Sequence, residues 1–216
     1  MALKLDAVWL IYRRIVSTII ATDFGNMARF VGACLFIEEQ NMNLYFRLIW
    51  TLLRAWRMPK IAFGDTLERN LTVLPNDLDI NGHMNNGRYL TIIDLMLVEY
   101  FVRTGYAAIM FKKGWRPMAG GSLITYRRGL QPFANYTLRF KLEASAEVWN
   151  FMRFEFVCDG KLSAAGYMKG AAVSKQGLVP NALAYQLLGL EMPTHTLPPA
   201  VQHWIDAEDC VMKIPW

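Results

Sequence analysis

The sequence is poor in the residues that build metal centres and disulfide frameworks. Only three cysteines and three histidines occur among its 216 residues, and neither type forms a cluster with the spacing of a ligand set. Cys34, Cys158 and Cys210 lie far apart, as is typical of small apolar side chains in a reducing compartment. We therefore expect no metal site and no bound cofactor.

The sequence also lacks a long uninterrupted apolar run. Residues 7–37 are mainly apolar, but Arg13, Arg14 and Asp23 interrupt them, so no stretch of about 18 to 20 apolar residues is present to span a bilayer. The ordered charged, apolar and small-residue regions of a cleaved signal are missing too. Residues 1–41 are predicted to be an N-terminal extension. The alternative is a start-site artefact, with Met42 as the true start.

A strongly basic folded domain is absent as well. The formal net charge is +5, but residues 1–60 carry eight lysines and arginines against four acidic residues and account for most of it. The rest of the chain is close to neutral, which argues against nucleic acid as a partner. Because 54% of the residues are hydrophobic and 13% aromatic, the chain can form a folded core, and we place the domain at residues 61–178.

Residues 42–60 have the periodicity of a basic amphipathic helix. Arg47, Thr51 and Arg54, with Arg57 nearby, share one side and leave the rest to apolar and aromatic side chains. A basic helix that contains tryptophan is typical of peripheral contact with a membrane surface. The alternative, equally open, is a helix that packs its apolar side onto the domain or a partner subunit.

The domain combines one long apolar helix with several strands. The helix is predicted at residues 87–103, with Gly105 as its terminator. Alternating apolar and polar residues predict antiparallel strands that bury one face. This order indicates an α+β domain whose sheet curls round the helix. The predicted strands are 67–74, 118–128, 137–144, 149–158 and 162–174, with a polar loop at 112–117 and two short helices, 181–190 and 199–208, in a C-terminal extension at 179–216.

A polar turn before the long helix carries the most specific motif. Asp77-Leu-Asp79-Ile-Asn81-Gly-His83-Met-Asn85-Asn86-Gly-Arg-Tyr89 resembles the signature of hotdog-fold thioesterases, in the 4-hydroxybenzoyl-CoA and acyl-ACP thioesterase branches. Residues 197–205 further resemble the mammalian thioesterase superfamily member proteins. The resemblance implies a hotdog fold, a curved antiparallel sheet wrapped round one long central helix. It also implies hydrolysis of acyl-CoA or acyl-ACP by a homodimer or homotetramer.

The resemblance also assigns catalytic roles. Asp79 is the expected carboxylate, which attacks the thioester or activates water, and the backbone N–H of Asn86 is the expected oxyanion donor at the positive end of the helix. In the acyl-ACP branch, Asn81 and His83 join Asp79 in one hydrogen-bonded group. That branch adds a glutamate at the end of a Tyr-Arg-Arg-Glu strand motif. Here the motif ends in Gly129, which leaves the chemistry to Asp79 and His83.

Four more residues are candidates for substrate binding. Asn85 and Tyr89 lie at the start of the helix, and the guanidinium groups of Arg127 and Arg128 suit the phosphates of CoA. Each candidate residue also has a purely structural explanation, because Asp and Asn favour turns and helix caps.

Two functions are therefore open at this point. The first is a thioester hydrolase, cytoplasmic or held peripherally at the inner face of a membrane. The second is a non-catalytic acyl-thioester-binding or membrane-associated scaffold with the same fold. The motif around Asp79 favours the hydrolase, and the presence of Gly129 in place of the glutamate favours the scaffold.

Overall fold

A curled antiparallel sheet wraps one long helix in the computed structural model, which describes residues 42–193 and 196–213. The expected extension at 1–41 lies outside the described residues. The strands are β1 (Leu67–Thr72), β2 (Arg116–Tyr126), β3 (Asn135–Ser145), β4 (Asn150–Cys158), β5 (Lys161–Ser174) and β6 (Gly177–Leu178). The helices are α1 (Met42–Arg57), α2 (Asn86–Arg103), α3 (Tyr106–Lys113), α4 (Asn181–Leu188) and α5 (Pro199–Lys213), and a 3-10 turn covers Pro75–Asp77.

The sheet has the strand order β1-β3-β4-β5-β2, and β6 pairs with β5. Every strand pair is antiparallel. Alternate residues of β3 and β4 form the core face, where Leu138, Phe140, Phe154 and Phe156 are fully buried. They pack against the buried face of α2 in one cluster. The α+β class and the hotdog arrangement are thus confirmed.

The helix α2 forms where its pattern predicts. The side chain of Asn85 caps it by accepting a 2.8 Å hydrogen bond from the Gly87 N–H, as short polar residues do at helix starts. Gly105, at φ +80°, ends this helix but also begins α3. The loop predicted at 112–117 is therefore wrong, because its first two residues belong to α3 and its last two to β2.

The helix α1 packs against α2 with an unexpected side inward. Thr51, Leu52 and Ala55 are buried, whereas Trp50 is 62% and Trp56 is 55% exposed. The helix therefore buries a mixed face and turns part of its aromatic surface away from the domain. One of the two predictions for this helix was that it packs its apolar side onto the domain. The face that meets the domain instead includes Thr51 and two arginines that pair with buried acids. Among the described residues, no helix is both long and apolar enough to cross a bilayer.

The two faces of the sheet are covered differently. Phe151 points away from the α2 side and packs edge-on against Trp204 of α5, with ring centroids 6.2 Å apart. Strand β2 forms one edge of the sheet and is exposed along most of its length. Strand β1 forms the opposite edge, beside α1.

Candidate active site

A tight turn holds Asp79 and His83 beside each other. An isolated bridge pairs Leu78 with Met84, and the Asp79 N–H donates to the His83 carbonyl oxygen at 2.9 Å. Gly82, at φ +78°, closes the turn and donates its N–H to the Asp79 carbonyl oxygen. This left-handed conformation suits glycine. As a result, Oδ2 of Asp79 lies 3.5 Å from Nδ1 of His83.

The Asp79 carboxylate is partly enclosed and stays anionic. Its side chain is 19% exposed, and Oδ1 accepts a 2.8 Å hydrogen bond from the Asn81 N–H. Partial desolvation raises its pKa, but the Asn81 hydrogen bonds and the nearby His83 outweigh this and hold the pKa of Asp79 below its usual value. Asn81 therefore supports the carboxylate from an Asx turn, with its own side chain exposed.

His83 lies against Gly129, which follows the end of β2. A Cβ atom built on Gly129 would lie 3.1 Å from Cγ of His83 and 3.2 Å from its Cδ2. The Tyr126-Arg127-Arg128-Gly129 segment is thus brought to the candidate site, and the missing side chain leaves room for the imidazole. Nδ1 of His83 is buried and makes no hydrogen bond within the described part of the chain.

The start of α2 supplies a backbone donor. Oδ1 of Asn85 accepts a hydrogen bond from the Gly87 N–H, and the Asn85 carbonyl oxygen accepts one from the Arg88 N–H at 2.9 Å. The Asn86 N–H has no protein acceptor among the described residues. The Tyr126 hydroxyl donates to the Asn86 carbonyl oxygen at 3.0 Å and ties β2 to this end of the helix. Asn85 therefore acts as the cap, and Asn86 presents the free amide.

The other expected substrate residues occupy different environments. Tyr89 is buried, with its ring edge-on to Tyr126 at 5.1 Å and to Phe156 at 4.8 Å, so it forms part of the core wall. Burial raises the pKa of Tyr89 above its usual value. Arg127 and Arg128 follow β2 and have exposed side chains, while both of their N–H groups donate to Ser163.

A buried ion pair that the sequence did not reveal fixes the turn. Asp77 is only 1% exposed and accepts both Nη atoms of Arg47, at 2.9 and 2.8 Å. It also accepts the Leu74 N–H, and Nε of Arg88 lies 3.7 Å away. The Asp77 carbonyl oxygen accepts the Asn85 N–H. Asp77 therefore links α1, the turn and the start of α2.

Together these groups suit acyl-transfer chemistry. An ionised carboxylate lies beside an imidazole, and a free amide stands at the positive end of a helix, where it can stabilise an oxyanion. Within the described residues, no group of three or more His, Cys, Asp or Glu side chains could hold a metal ion.

Solved structures with the same fold include three bacterial proteins. YbaW of Escherichia coli gives a TM-score of 0.53 at 16% identity and covers 58% of this chain and 98% of its own. The DHNA-CoA thioesterase of Staphylococcus aureus gives 0.52 at 13% identity, covering 69% and 97%. A further S. aureus protein, solved in complex with CoA, gives 0.51 at 14% identity, covering 67% and 96%. At such identities the likeness establishes the fold.

Comparison of sequences gives the family. Protein THEM6 of Xenopus laevis is 27% identical over 140 residues, which cover 63% of this chain and 66% of the frog protein. Protein THEM6 of Drosophila melanogaster is 25% identical over 174 residues, covering 77% and 86%. A family model for the thioesterase-like superfamily matches residues 73–205. Because this match spans more than half of the chain and contains the whole Asp79–Asn86 region, the protein belongs to the thioesterase-like superfamily.

Proposed function

We propose that the protein hydrolyses acyl thioesters, with Asp79 as the catalytic carboxylate. The observation that carries this proposal is the anionic Asp79 held 3.5 Å from His83, in the turn that leads to the free amide of Asn86. The superfamily membership supports the reaction class. The DHNA-CoA thioesterase and the CoA complex among the solved structures support a CoA thioester as the substrate.

The proposed reaction proceeds through a tetrahedral intermediate. The Asp79 carboxylate takes a proton from water, and the resulting hydroxide attacks the thioester carbonyl carbon. The Asn86 N–H hydrogen-bonds to the oxygen that becomes negative, which in comparable sites lowers the barrier by about 3 kcal/mol per donor. The carbon–sulfur bond then breaks, and the proton held by Asp79 goes to the thiolate. His83 positions the carboxylate, and a small rotation from 3.5 Å would complete their hydrogen bond.

A symmetric dimer would add a binding surface for the CoA phosphates. If the exposed β2 edges of two copies pair antiparallel about a two-fold axis, Arg116 at the start of one strand lies beside Tyr126 at the end of the other. A cavity near the start of β2 is lined by cations and contains no acidic residue among the described ones. Its cations are Lys112, Lys113, Arg116 and Lys175. This pairing would bring them next to the partner copy's Arg127 and Arg128, where an anionic ligand is favoured.

The dimer can be tested separately from catalysis. We expect Leu123→Glu, at an exposed position of β2, to halve the mass measured by light scattering, because it buries an unpaired charge against Ala119 of the partner copy. Leu178→Glu, at an exposed position of β6, serves as the control and should leave the mass unchanged. Equal masses for both variants would show that β2 is not the interface.

The catalytic proposal is tested by measuring thiol release from a panel of acyl-CoA substrates. We expect Asp79→Asn to lower kcat/KM by about 10²- to 10⁴-fold, the usual contribution of a general base. Asp159→Asn is the matched control, since Asp159 lies in an exposed hairpin turn at φ +50°, a conformation that asparagine also adopts. No turnover by the wild type, or equal turnover by Asp79→Asn, would reject the proposal.

The scaffold alternative has its own support. Gly129 stands where one thioesterase branch carries a glutamate, so this site contains one carboxylate fewer. A non-catalytic protein would bind an acyl-CoA without releasing thiol, whereas a hydrolase releases thiol in proportion to the acyl-CoA consumed. Calorimetric binding and thiol release measured on the same sample therefore separate the two functions.

Contact with a membrane surface is favoured by the orientation of α1. Its outward side carries exposed Phe46, Trp50 and Trp56, with Arg57 beside them, a combination suited to the interface of an anionic bilayer. We expect Phe46→Glu with Trp56→Glu to reduce co-sedimentation with anionic vesicles at least tenfold. Val211→Glu, an exposed apolar position on α5, should have no such effect. Equal sedimentation of the two proteins would exclude α1 as the contact surface.

A further inference from the structure

A second cavity borders α1, and one of its lining residues, Arg47, pairs with Asp77 at the base of the turn that holds Asp79. It has a volume of about 500 Å³, is half open to solvent and lies between α1, β1 and the middle of α2. Neither Asp79 nor His83 lines it. It borders β1, at one edge of the sheet, whereas the contact between Tyr126 and Asn86 lies at the end of β2, the strand at the other edge. The proposed hydrolysis makes no use of this cavity.

Three arginines line the cavity, and no carboxylate does so among the described residues. They are Arg47, Arg54 and Arg69. The acids that pair with them are buried behind the lining: Asp77 binds Arg47, and Glu99 is shared by Arg54 and Arg69.

The positive charge around the cavity exceeds the negative charge. Arg103 also contacts Glu99, at 3.4 Å, so three guanidinium groups share one fully buried carboxylate. Burial lowers the pKa of Arg69, and the charges of Arg54 and Arg47 lower it further, although Glu99 partly offsets them. The excess positive charge would be neutralised by an anionic ligand.

The arginines keep hydrogen-bond donors for such a ligand. A guanidinium group has five N–H donors. Arg54 makes a single bond to Glu99, through Nη1 at 3.3 Å. Toward the described residues Arg69 uses only Nη1, which lies 3.2 Å from both Oε2 of Glu99 and Oγ1 of Thr51. The remaining donors of these two arginines suit the oxygens of a carboxylate or a phosphate.

The rest of the lining is largely apolar. Trp50 stands at the α1 side, Tyr136 comes from β3, and Ile92, Leu95 and Met96 come from α2. A site that places several cations at an apolar wall fits a ligand with both an anionic head and a hydrocarbon body. A small inorganic anion would leave the apolar part of the cavity unused.

We propose that this cavity binds a single-chain anionic amphiphile, with its head on Arg54 and Arg69 and its chain against the apolar wall of α2. A fatty acid and a lysophosphatidic acid share this chemistry. Trp50 both lines the cavity and faces outward at 62% exposure, so the ligand would enter beside the exposed aromatic surface of α1. This makes the cavity a lipid site separate from the thioester site.

The test measures binding to the purified 216-residue chain by calorimetry, with ligands kept below their micelle concentration. The ligands are myristate, myristoyl lysophosphatidate, myristyl alcohol and inorganic phosphate. We expect one or both anionic amphiphiles to bind at least tenfold more tightly than the alcohol and than phosphate, and the stronger of the two identifies the head group. Equal affinity for the alcohol, or for phosphate alone, would overturn the proposal.

Two variants locate the binding site. Arg54→Gln leaves Glu99 with two arginines, and Arg69→Lys keeps a cation at its position. Both are expected to weaken amphiphile binding at least fivefold. Arg139→Gln is the matched control, because Arg139 pairs with Glu68 on the exposed surface of the sheet. Unchanged binding in both cavity variants, with thermal melts like that of the wild type, would place the ligand elsewhere and overturn the proposal.

Discussion

The buried pair between Asp77 and Arg47 gives the sharpest stability prediction. Asp77→Asn keeps the size of the side chain and an acceptor for the Leu74 N–H, but it removes the charge that two Nη donors of Arg47 contact at 2.9 and 2.8 Å. The asparagine amide would also turn donor groups towards the guanidinium. The Asp77 side chain is 1% exposed, so water cannot enter at this position to replace the lost carboxylate as the acceptor for Arg47.

The expected cost follows from this burial. Removing one partner of a buried ion pair costs about 3–5 kcal/mol, and because the Arg47 side chain is 19% exposed and regains some water, we expect about 3 kcal/mol. For a chain of this size that lowers Tm by roughly 6–12 °C. Urea unfolding at pH 7, followed by far-UV circular dichroism, measures the difference in the free energy of unfolding.

The control is an ion pair of similar length on the surface. Arg139 and Glu68 are 2.8 Å apart, with side chains 48% and 54% exposed. Glu68→Gln should therefore cost less than about 1 kcal/mol. Equal losses for Asp77→Asn and Glu68→Gln would refute the argument that burial gives the Asp77 pair its importance.

Three other predictions concern particular backbone positions and the pH dependence. Gly166→Ala should lower the free energy of unfolding by roughly 3 kcal/mol, because its Cβ would lie 1.9 Å from the Leu123 carbonyl oxygen of the adjacent strand. Gly170→Ala should cost much less, because the atom nearest to its Cβ would be 3.3 Å away. Urea unfolding of the two variants measures the difference. Gly129→Ala should push the His83 ring by a few tenths of an ångström and reduce kcat/KM by about threefold to tenfold, and an unchanged kcat/KM would show that the ring position is unimportant. Because the pKa of Asp79 is lower in the folded protein than in the unfolded chain, its ionised carboxylate stabilises the fold. This contribution is fully present above the unfolded pKa and is lost as the pH falls through the folded pKa. Because His83 contributes to this lowering of the Asp79 pKa, His83→Gln should raise the acidic midpoint of thioester hydrolysis, and an unchanged midpoint would contradict Asp79 as the base.

The sequence predicted the elements that depend on local pattern. The start of α2 followed from the asparagine cap, and the strands of the core followed from alternating side chains such as those around Phe140 and Phe154. These features are local because a helix start needs only a nearby side-chain acceptor, and a half-buried strand needs only a period of two. Helix α3 was missed because Gly105 was interpreted solely as a terminator, whereas its left-handed conformation joins two helices.

The features that the sequence could not predict depend on distant residues. Arg47 and Asp77 are 30 residues apart, and Arg54 and Glu99 are 45 apart, so no local pattern joins them. These carboxylates draw the arginine stripe of α1 inward and leave aromatic side chains outward. The amphipathic pattern correctly predicted a helix, but which face meets the domain depended on the charges that face it.

The sequence predicted only part of the candidate site. The resemblance to the acyl-ACP branch implied one hydrogen-bonded group of Asp79, Asn81 and His83, and the turn places Oδ2 of Asp79 3.5 Å from Nδ1 of His83. The close approach of Gly129 to His83 could not be derived from spacing, because the two residues are 46 positions apart in the chain. The roles of Asn81, Asn86, Arg127 and Arg128 in a reaction stay predictions.

The account depends on Asp79 acting in the chemical step. The most direct measurement combines rapid-quench single-turnover kinetics of Asp79→Asn with the Kd of the same acyl-CoA for that variant. We predict a Kd within about threefold of the wild-type value and a chemical step slowed at least about a hundredfold. A chemical step as fast as that of the wild type would contradict the central claim.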